Sequence, residues 1–251
     1  MSEILIKKLF KNNGDKVSWS NLSRNTSVEA LEYLKNNQNK IDWVGLSTNS
    51  NDRALELLEQ NQYKINWSKL CININDRALA LVERNQDKIC WMYLSENTNN
   101  RAIRILEQNP EKINWFGLSL NPNDRALDLL KRNKDNICWK FLSKNPNDRA
   151  LDLLEKNPEK INWFYLSQNT NYRAIRILEE NPDKIIWAAL SSNPSAIDLL
   201  EKNPDKIIFS DLSLNSNAIH LLENNINMIS FINLSRNTGI FDFQDTNYIL
   251  K

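Results

Sequence analysis

Hydrophobic and polar positions recur along most of the chain in one pattern, which residues 145–167 show in full. The stretch begins with Asn-Pro-Asn-Asp-Arg and continues with an apolar run that has helical spacing. After this run come the segments Asn-Pro-Glu-Lys-Ile-Asn and Trp-Phe-Tyr-Leu-Ser. Variants of this stretch fill almost everything between residues 19 and 237. A fixed period of roughly 20 to 50 residues is typical of stacked repeat proteins, so we expect an array of similar units.

Regularly spaced tryptophan and phenylalanine residues, which we call the anchors, mark the period of the repeat. The eight tryptophans are spaced 24 residues apart, at positions 19, 43, 67, 91, 115, 139, 163 and 187, and Phe209 and Phe231 continue the series at a spacing of 22. A leucine follows every anchor by three residues, from Leu22 to Leu234. Two asparagine ladders run from Asn25 to Asn237 and from Asn37 to Asn225. Buried amides at repeat corners can satisfy backbone groups that short helices leave unpaired, so we interpret these identities as structural.

The first half of the repeat predicts an amphipathic α-helix. Asn145 is a suitable N-cap, Pro146 suits the first helical position, and Asp148 would meet the positive end of the helix dipole at the third. Asn157 is expected to end the helix in the left-handed conformation. The side chains on the apolar arc are Ala150, Leu151, Leu153 and Leu154.

The second half of the repeat is less regular. We interpret residues 157–160 as a turn or a single helical turn, with Ile161 directed inward. Asn162 is expected to cap a short α- or 3₁₀-helix over residues 163–168. Asn169 would close that helix and cap the next α-helix.

The pattern predicts an all-α fold, a right-handed α-solenoid of about ten repeats of 22–24 residues, each with a longer α-helix and a short α- or 3₁₀-helix. We expect residues 1–18 to be a capping half repeat and residues 19–237 the solenoid, with a 24-residue period to about 187 and 22 after it. Residues 193–196 lack the Asp-Arg pair, so the last two long helices should be shorter at their N-termini. Residues 238–251 would form a C-terminal cap through Ile240, Phe241, Phe243, Tyr248, Ile249 and Leu250.

The Leu-Ser-x-Asn-Pro and Leu-Leu-Glu-x-Asn-Pro segments and the alternation of long and short helices resemble leucine-rich-repeat-variant solenoids. Residues 181–194 are more closely similar to 24-residue Asn-Pro/Trp/Leu-Ser repeats in predicted proteins of giant DNA viruses. The resemblance covers about nine tenths of the chain. It implies a superhelix of alternating α- and 3₁₀-helices, and the tryptophan anchor departs from the variant family. It implies no cofactor.

Composition narrows the classes of partner. With 32 basic and 31 acidic residues the net charge is +1, whereas nucleic-acid binders usually carry a basic excess, so nucleic acid is an unfavoured partner. The apolar run near the N-terminus is too short for a signal peptide, and nothing approaches the ~18 apolar residues of a membrane span. Cys71, Cys90 and Cys138 form no close pair in the sequence, and Cys90 and Cys138 lie two repeats apart. We therefore expect an intracellular location, in the host cytoplasm or a viral particle, and no secretion.

The first candidate surface is a set of variable positions just after the anchors. In the middle repeats these positions carry large apolar side chains, whereas the terminal repeats carry mainly small or polar residues there. Such a concentration predicts a protein-binding stripe, and the alternative is packing between neighbouring short helices. The candidate residues are Met92, Tyr93, Phe116, Phe141, Phe164 and Tyr165.

The second candidate surface is an arginine ladder at one-repeat spacing. Guanidinium groups in a row could grip an acidic partner or a phosphate chain. The alternative is a network of salt bridges between repeats, made with the aspartates that directly precede four of these arginines. The ladder consists of Arg53, Arg77, Arg101, Arg125, Arg149 and Arg173.

No residue set indicates catalysis, a metal site or a cofactor, because His220 is the only histidine and no Cys or His pairs have metal-ligand spacing. The sequence predicts a non-enzymatic scaffold that binds a protein partner of unknown identity, as a monomer or as part of a larger assembly. A structural strut or cement in a viral particle is the alternative. Single-stranded nucleic-acid binding along the arginine ladder is less favoured.

Overall fold

The computed structural model describes residues 16–241, and within that range every regular element is a helix and no strand occurs. The predicted all-α class is confirmed. The chain divides into two compact units, Met1–Arg132 and Asn133–Lys251, and each is a stack of helical repeats of the kind predicted for an α-solenoid. The predicted caps fall largely outside the described residues: only 16–18 of the first and 238–241 of the second are included.

In the first unit each complete repeat contains a long α-helix, a single 3₁₀ turn and a short α-helix. The long helices are Val28–Lys35, Asp52–Gln60, Asp76–Arg84, Asn100–Gln108 and Asp124–Arg132. The 3₁₀ turns are Gln38–Lys40, Gln62–Lys64, Gln86–Lys88 and Pro110–Lys112. The short helices are Trp19–Arg24, Trp43–Ser47, Trp67–Cys71, Trp91–Glu96 and Trp115–Leu120.

The second unit repeats the same three elements. Its long helices are Asp148–Glu155, Tyr172–Glu179, Ile197–Glu201 and Ile219–Glu223. Its 3₁₀ turns are Lys134–Asn136, Pro158–Lys160, Pro182–Lys184, Pro204–Lys206, Ile226–Met228 and Thr238–Phe241. Its short helices are Trp139–Leu142, Trp163–Ser167, Trp187–Ser191, Phe209–Leu212 and Phe231–Leu234. The last two long helices have five residues each, so the predicted shortening is confirmed.

The long helix buries the predicted apolar arc but begins two residues later than expected. Asn147 is the N-cap, and its side-chain oxygen accepts a hydrogen bond from the Arg149 N–H at 2.8 Å. The prediction that Asn145 caps this helix was wrong, because Asn145 is fully buried and Pro146 precedes the cap. Asp148 is consequently the first helical residue, where its carboxylate still faces the positive end of the dipole.

The long helix ends without a left-handed residue. Asn157 has a φ of −139°, so the predicted left-handed cap was wrong. Its side-chain Nδ2 instead donates to the Leu153 carbonyl at 2.8 Å and satisfies one of the orphan acceptors at the helix terminus. Pro158 then begins the 3₁₀ turn, where a missing N–H leaves no hydrogen bond unmade.

Buried asparagines join consecutive repeats at the corner before each long helix. The side-chain Nδ2 of Asn169 donates to the carbonyls of Ser143, at 3.0 Å, and Asn145, at 2.9 Å, and its Oδ1 accepts the Asn171 N–H at 3.0 Å. We call this series the corner ladder, and its members are buried: Asn49, Asn73, Asn97, Asn121, Asn145, Asn169, Asn193, Asn215 and Asn237. Among residues 16–241 no buried side-chain nitrogen or oxygen lacks a partner, so the predicted structural role of these amides is confirmed.

The serine of each Leu-Ser pair makes a second link between repeats. Ser47 Oγ accepts the N–H of Asn66, 19 residues later, at 3.0 Å. Cys71 occupies this position in the next repeat, and its Sγ accepts the Cys90 N–H at 3.3 Å. Cys71 and Cys90, which are 19 residues apart in sequence, are therefore in contact. Burial raises the pKa of the Cys71 thiol to about 11.

Candidate binding surfaces

The arginine ladder is engaged in ion pairs with the preceding long helix. Arg77 donates through Nε and Nη2 to the carboxylate of Glu59 at 3.0 and 2.7 Å, and Arg101 lies 2.6 Å from Glu83. Arg173 Nη1 lies 2.7 Å from Asp152 Oδ1. Arg53 and Arg125 pair in the same way, with Glu32 and Glu107 respectively, and Arg149 is also engaged.

The expected network between repeats is present, but its acidic partners differ from those predicted. Three of the predicted aspartates accept instead from a capping asparagine of the following repeat. Asp52, Asp76 and Asp148 accept from Asn75, Asn99 and Asn171 at 3.0, 2.8 and 2.8 Å respectively. Arg77 and Arg101 reach back over the helix surface to a glutamate 18 residues earlier, a spacing that the repeat pattern alone did not distinguish.

Two of these ion pairs lower the pKa of the glutamate that takes part in them. Hydrogen bonds from Arg77 hold the pKa of Glu59 below its usual value, and Arg125, joined by Arg132, does the same for Glu107. Partial burial opposes both shifts. A guanidinium committed to a carboxylate would have to break that pair before it bound a phosphate, so this geometry favours a structural role for the ladder.

The six aromatic and methionine candidates separate into two groups of three. Tyr93, Phe141 and Tyr165 are half-buried, and their helix position points toward the neighbouring short helix. The Phe141 and Tyr165 rings meet edge to face with centroids 5.9 Å apart. Lys69 and Lys140 place their ammonium groups 5.8 Å from Tyr93 and 5.2 Å from Tyr165. These contacts match the packing interpretation for this half of the set.

The other three candidates face solvent. Phe116 is 60% exposed, and Met92 and Phe164 are each 45% exposed. All three occupy the second position of a short helix. Other repeats carry different residues at this position, for example Ser68 and Lys140. We call Met92, Phe116 and Phe164 the outward set. Met92 and Phe116 belong to the first unit and Phe164 to the second.

The last described repeat carries a separate exposed apolar segment. Ile226, Met228, Phe231 and Ile232 are 58–76% exposed, and the short helix Phe231–Leu234 has no buried residue. We call residues 226–232 the terminal apolar segment. The sequence patterns had marked these positions only as members of the repeat.

Two further observations concern the histidine and the possible metal ligands among the described residues. His220 is exposed, and its Nε2 lies 2.8 Å from Glu201 Oε1. Within residues 16–241 no three His, Cys, Asp or Glu side chains are grouped where they could hold a metal ion.

None of the helices in residues 16–241 combines the length and the apolar character that crossing a membrane requires.

Comparison with protein-family models, with curated proteins and with solved structures finds no match for this chain. The resemblance to viral repeats and to leucine-rich-repeat variants therefore stays a prediction, and function must be inferred from the geometry of the surfaces.

Proposed function

We propose that the protein is a non-enzymatic scaffold that binds other proteins through the short helices of its stacked repeats. The observation that carries the proposal is the exposure of the outward set, above all of Phe116. Large aromatic side chains that stay accessible on an ordered helix are typical anchors of protein interfaces.

Covering these side chains would contribute usefully to affinity. A phenylalanine presents roughly 150–250 Å² of surface, so burying the exposed part of Phe116 would contribute about 2–3 kcal/mol. Lys69 and Lys140, whose ammonium groups lie beside Tyr93 and Tyr165, suit the rim of such an interface, where partial hydration is tolerated.

The backbone beneath Phe116 is held in place before any partner arrives. Asn114 Oδ1 accepts the Gly117 N–H at 2.8 Å, and Leu118 and Ser119 on the same helix are fully buried. An anchor on a helix ordered in this way loses little backbone entropy on binding, which supports the short-helix layer as the contact surface.

The test is affinity capture with a triple variant that carries Met92→Ser, Phe116→Ser and Phe164→Ser. Partners retained by the unmodified chain should be lost by this variant, with the far-ultraviolet circular dichroism unchanged, because the replaced side chains are mostly exposed. The bound proteins are identified and quantified by mass spectrometry.

A matched control replaces two other exposed aromatic residues, Tyr63→Ser and Tyr172→Ser, which are 82% and 77% exposed on a 3₁₀ turn and at the start of a long helix. This control should keep the partners. Equal losses in both variants, or an unaltered set of bound proteins in the triple variant, would contradict the proposal.

A further inference from the structure

The terminal apolar segment carries large apolar side chains at three positions where the two preceding repeats have proline, lysine or a small residue. Ile226 stands where the two preceding repeats have Pro182 and Pro204, and Met228 stands where they have Lys184 and Lys206. Ile232 likewise occupies the position of Ser210. All of these apolar replacements increase the hydrophobic surface of a single repeat.

The packing around this segment is incomplete. The leucine of each other Leu-Ser pair is buried, and Leu212 in the preceding repeat is fully so, whereas Leu234 is half-exposed. Phe231 is 68% exposed, while the equivalent Phe209 is half-buried. Among residues 16–241 no further repeat follows to cover the apolar face that each earlier repeat covers with its successor.

Charge is almost absent from the same region. Between residues 224 and 241 only Arg236 is charged, whereas residues 202–219 contain four charged side chains, Lys202, Asp205, Lys206 and Asp211. A partner with a charged surface would find only Arg236 here to pair with its charges. A twofold contact between identical faces, by contrast, has no like charges to bring together except the two copies of Arg236, so little repulsion opposes association.

We propose that the terminal apolar segment binds the same segment of a second copy of this chain in a twofold-symmetric contact. The four exposed side chains offer on the order of 500 Å² per copy, and the surrounding polar groups would supply the rest of the ~800 Å² that a standard interface buries on each side. The contact is independent of the outward set and would join two scaffolds into one bivalent particle.

Sedimentation equilibrium of the full chain over a wide range of concentration tests the proposal. The unmodified chain should reach twice the monomer mass as concentration rises. Ile232→Glu should remain monomeric under the same conditions, because the contact would bury its carboxylate close to its own symmetry mate. Ile74→Glu, at a position in the first unit that is 61% exposed against 76% for Ile232, should associate as the unmodified chain does.

Mixing provides a second readout that a folding defect in the variants could not produce. Ile232→Glu and Ile232→Lys copies, each monomeric alone, should form a mixed dimer when combined, since opposite charges then meet across the twofold axis. The triple variant of the outward set should dimerise normally, so the two proposals fail separately.

Three outcomes would overturn the proposal. The unmodified chain could stay monomeric at every concentration, or Ile232→Glu and Ile74→Glu could associate equally. A chain that is monomeric until Tyr248→Ser and Ile249→Ser are introduced would instead identify residues 242–251, which lie outside the described range, as the occupant of this face.

Discussion

The second unit contains two versions of the repeat that differ in their layer of long helices. In residues 145–192 the long helices have eight residues, and in residues 193–237 they have five. The longer helices carry a side-chain N-cap, Asn147 or Asn171, and Arg173 on the second of them pairs with Asp152 and Glu155 of the preceding repeat. The shorter ones start after Ala196 and Ala218, which offer no capping side chain.

The corner ladder is unchanged between the two versions. Asn215 donates to the carbonyls of Ser191 and Asn193 at 3.0 and 2.8 Å, and Asn169, two repeats earlier, donates in the same way to those of Ser143 and Asn145. Ser195 even takes the place of Asn171, since its hydroxyl donates to the Thr170 carbonyl at 2.7 Å. The comparison indicates that the corner and the buried leucines define this repeat, while the charged outer layer is an addition to it.

The largest effect should therefore follow removal of a corner amide from either version. Asn169→Ala and Asn215→Ala should each lower the free energy of unfolding by about 3 kcal/mol, because each removes three hydrogen bonds, two of them to carbonyls at a buried corner. Urea denaturation followed by circular dichroism measures the change.

Asn136→Ala is the control for these variants, because Asn136 is exposed on a 3₁₀ turn of the same unit, outside both proposed contact surfaces, and its replacement should be nearly neutral. If only Asn169→Ala were destabilising, the corner would not be the common element of the two versions and the comparison would fail.

Much of this fold can be predicted from the sequence, because the same pattern of residues recurs in every repeat. The helical arc of Ala150 and its neighbours, the buried leucines and the shorter terminal helices all follow from spacing. The N-cap could not be predicted with the same certainty, since Asn145 and Asn147 both suit it and only the demand for a buried amide at the corner separates them.

The candidate surfaces were less predictable for a physical reason. Positions 92 and 93 are adjacent and similarly variable, yet Met92 faces solvent and Tyr93 lies against Lys69 of the preceding repeat, which depends on how neighbouring helices pack. The same is true of Arg77, whose partner Glu59 is fixed by the offset between stacked helices. Local sequence carries little information on that offset.

A smaller effect is expected from converting the short version into the long one. Inserting Asp-Arg between Ser195 and Ala196 restores the 24-residue period and places the new arginine 18 residues after Glu179, the spacing of Arg173 from Glu155. We expect extra helix and a gain of about 1 kcal/mol at most, because the new ion pair is exposed. Circular dichroism measures the helix content, and urea denaturation measures the free energy of unfolding.

Lys202 now lies 3.3 Å from Glu179, so the insertion should be repeated with Lys202→Ala to separate the new pair from the old one. A loss of helix or of stability in the inserted chain would show that the corner at residues 193–196 accepts only the short version.

The smallest expected effect is on the pH dependence of stability. The pKa of Glu59 and of Glu107 is lowered in the folded chain, so their pairs stabilise it above the ordinary glutamate pKa of about 4.5 and lose that contribution as the pH falls through the lowered value. Arg77→Gln and Arg125→Gln should each reduce stability at neutral pH by about 0.5 kcal/mol and converge with the unmodified chain in stronger acid. Hydrogen exchange should show the loss in the amides of the 24-residue repeats but not in residues 199–222, which contain no arginine. Equal losses in both regions would mean that the ladder acts through net charge and not through its pairs.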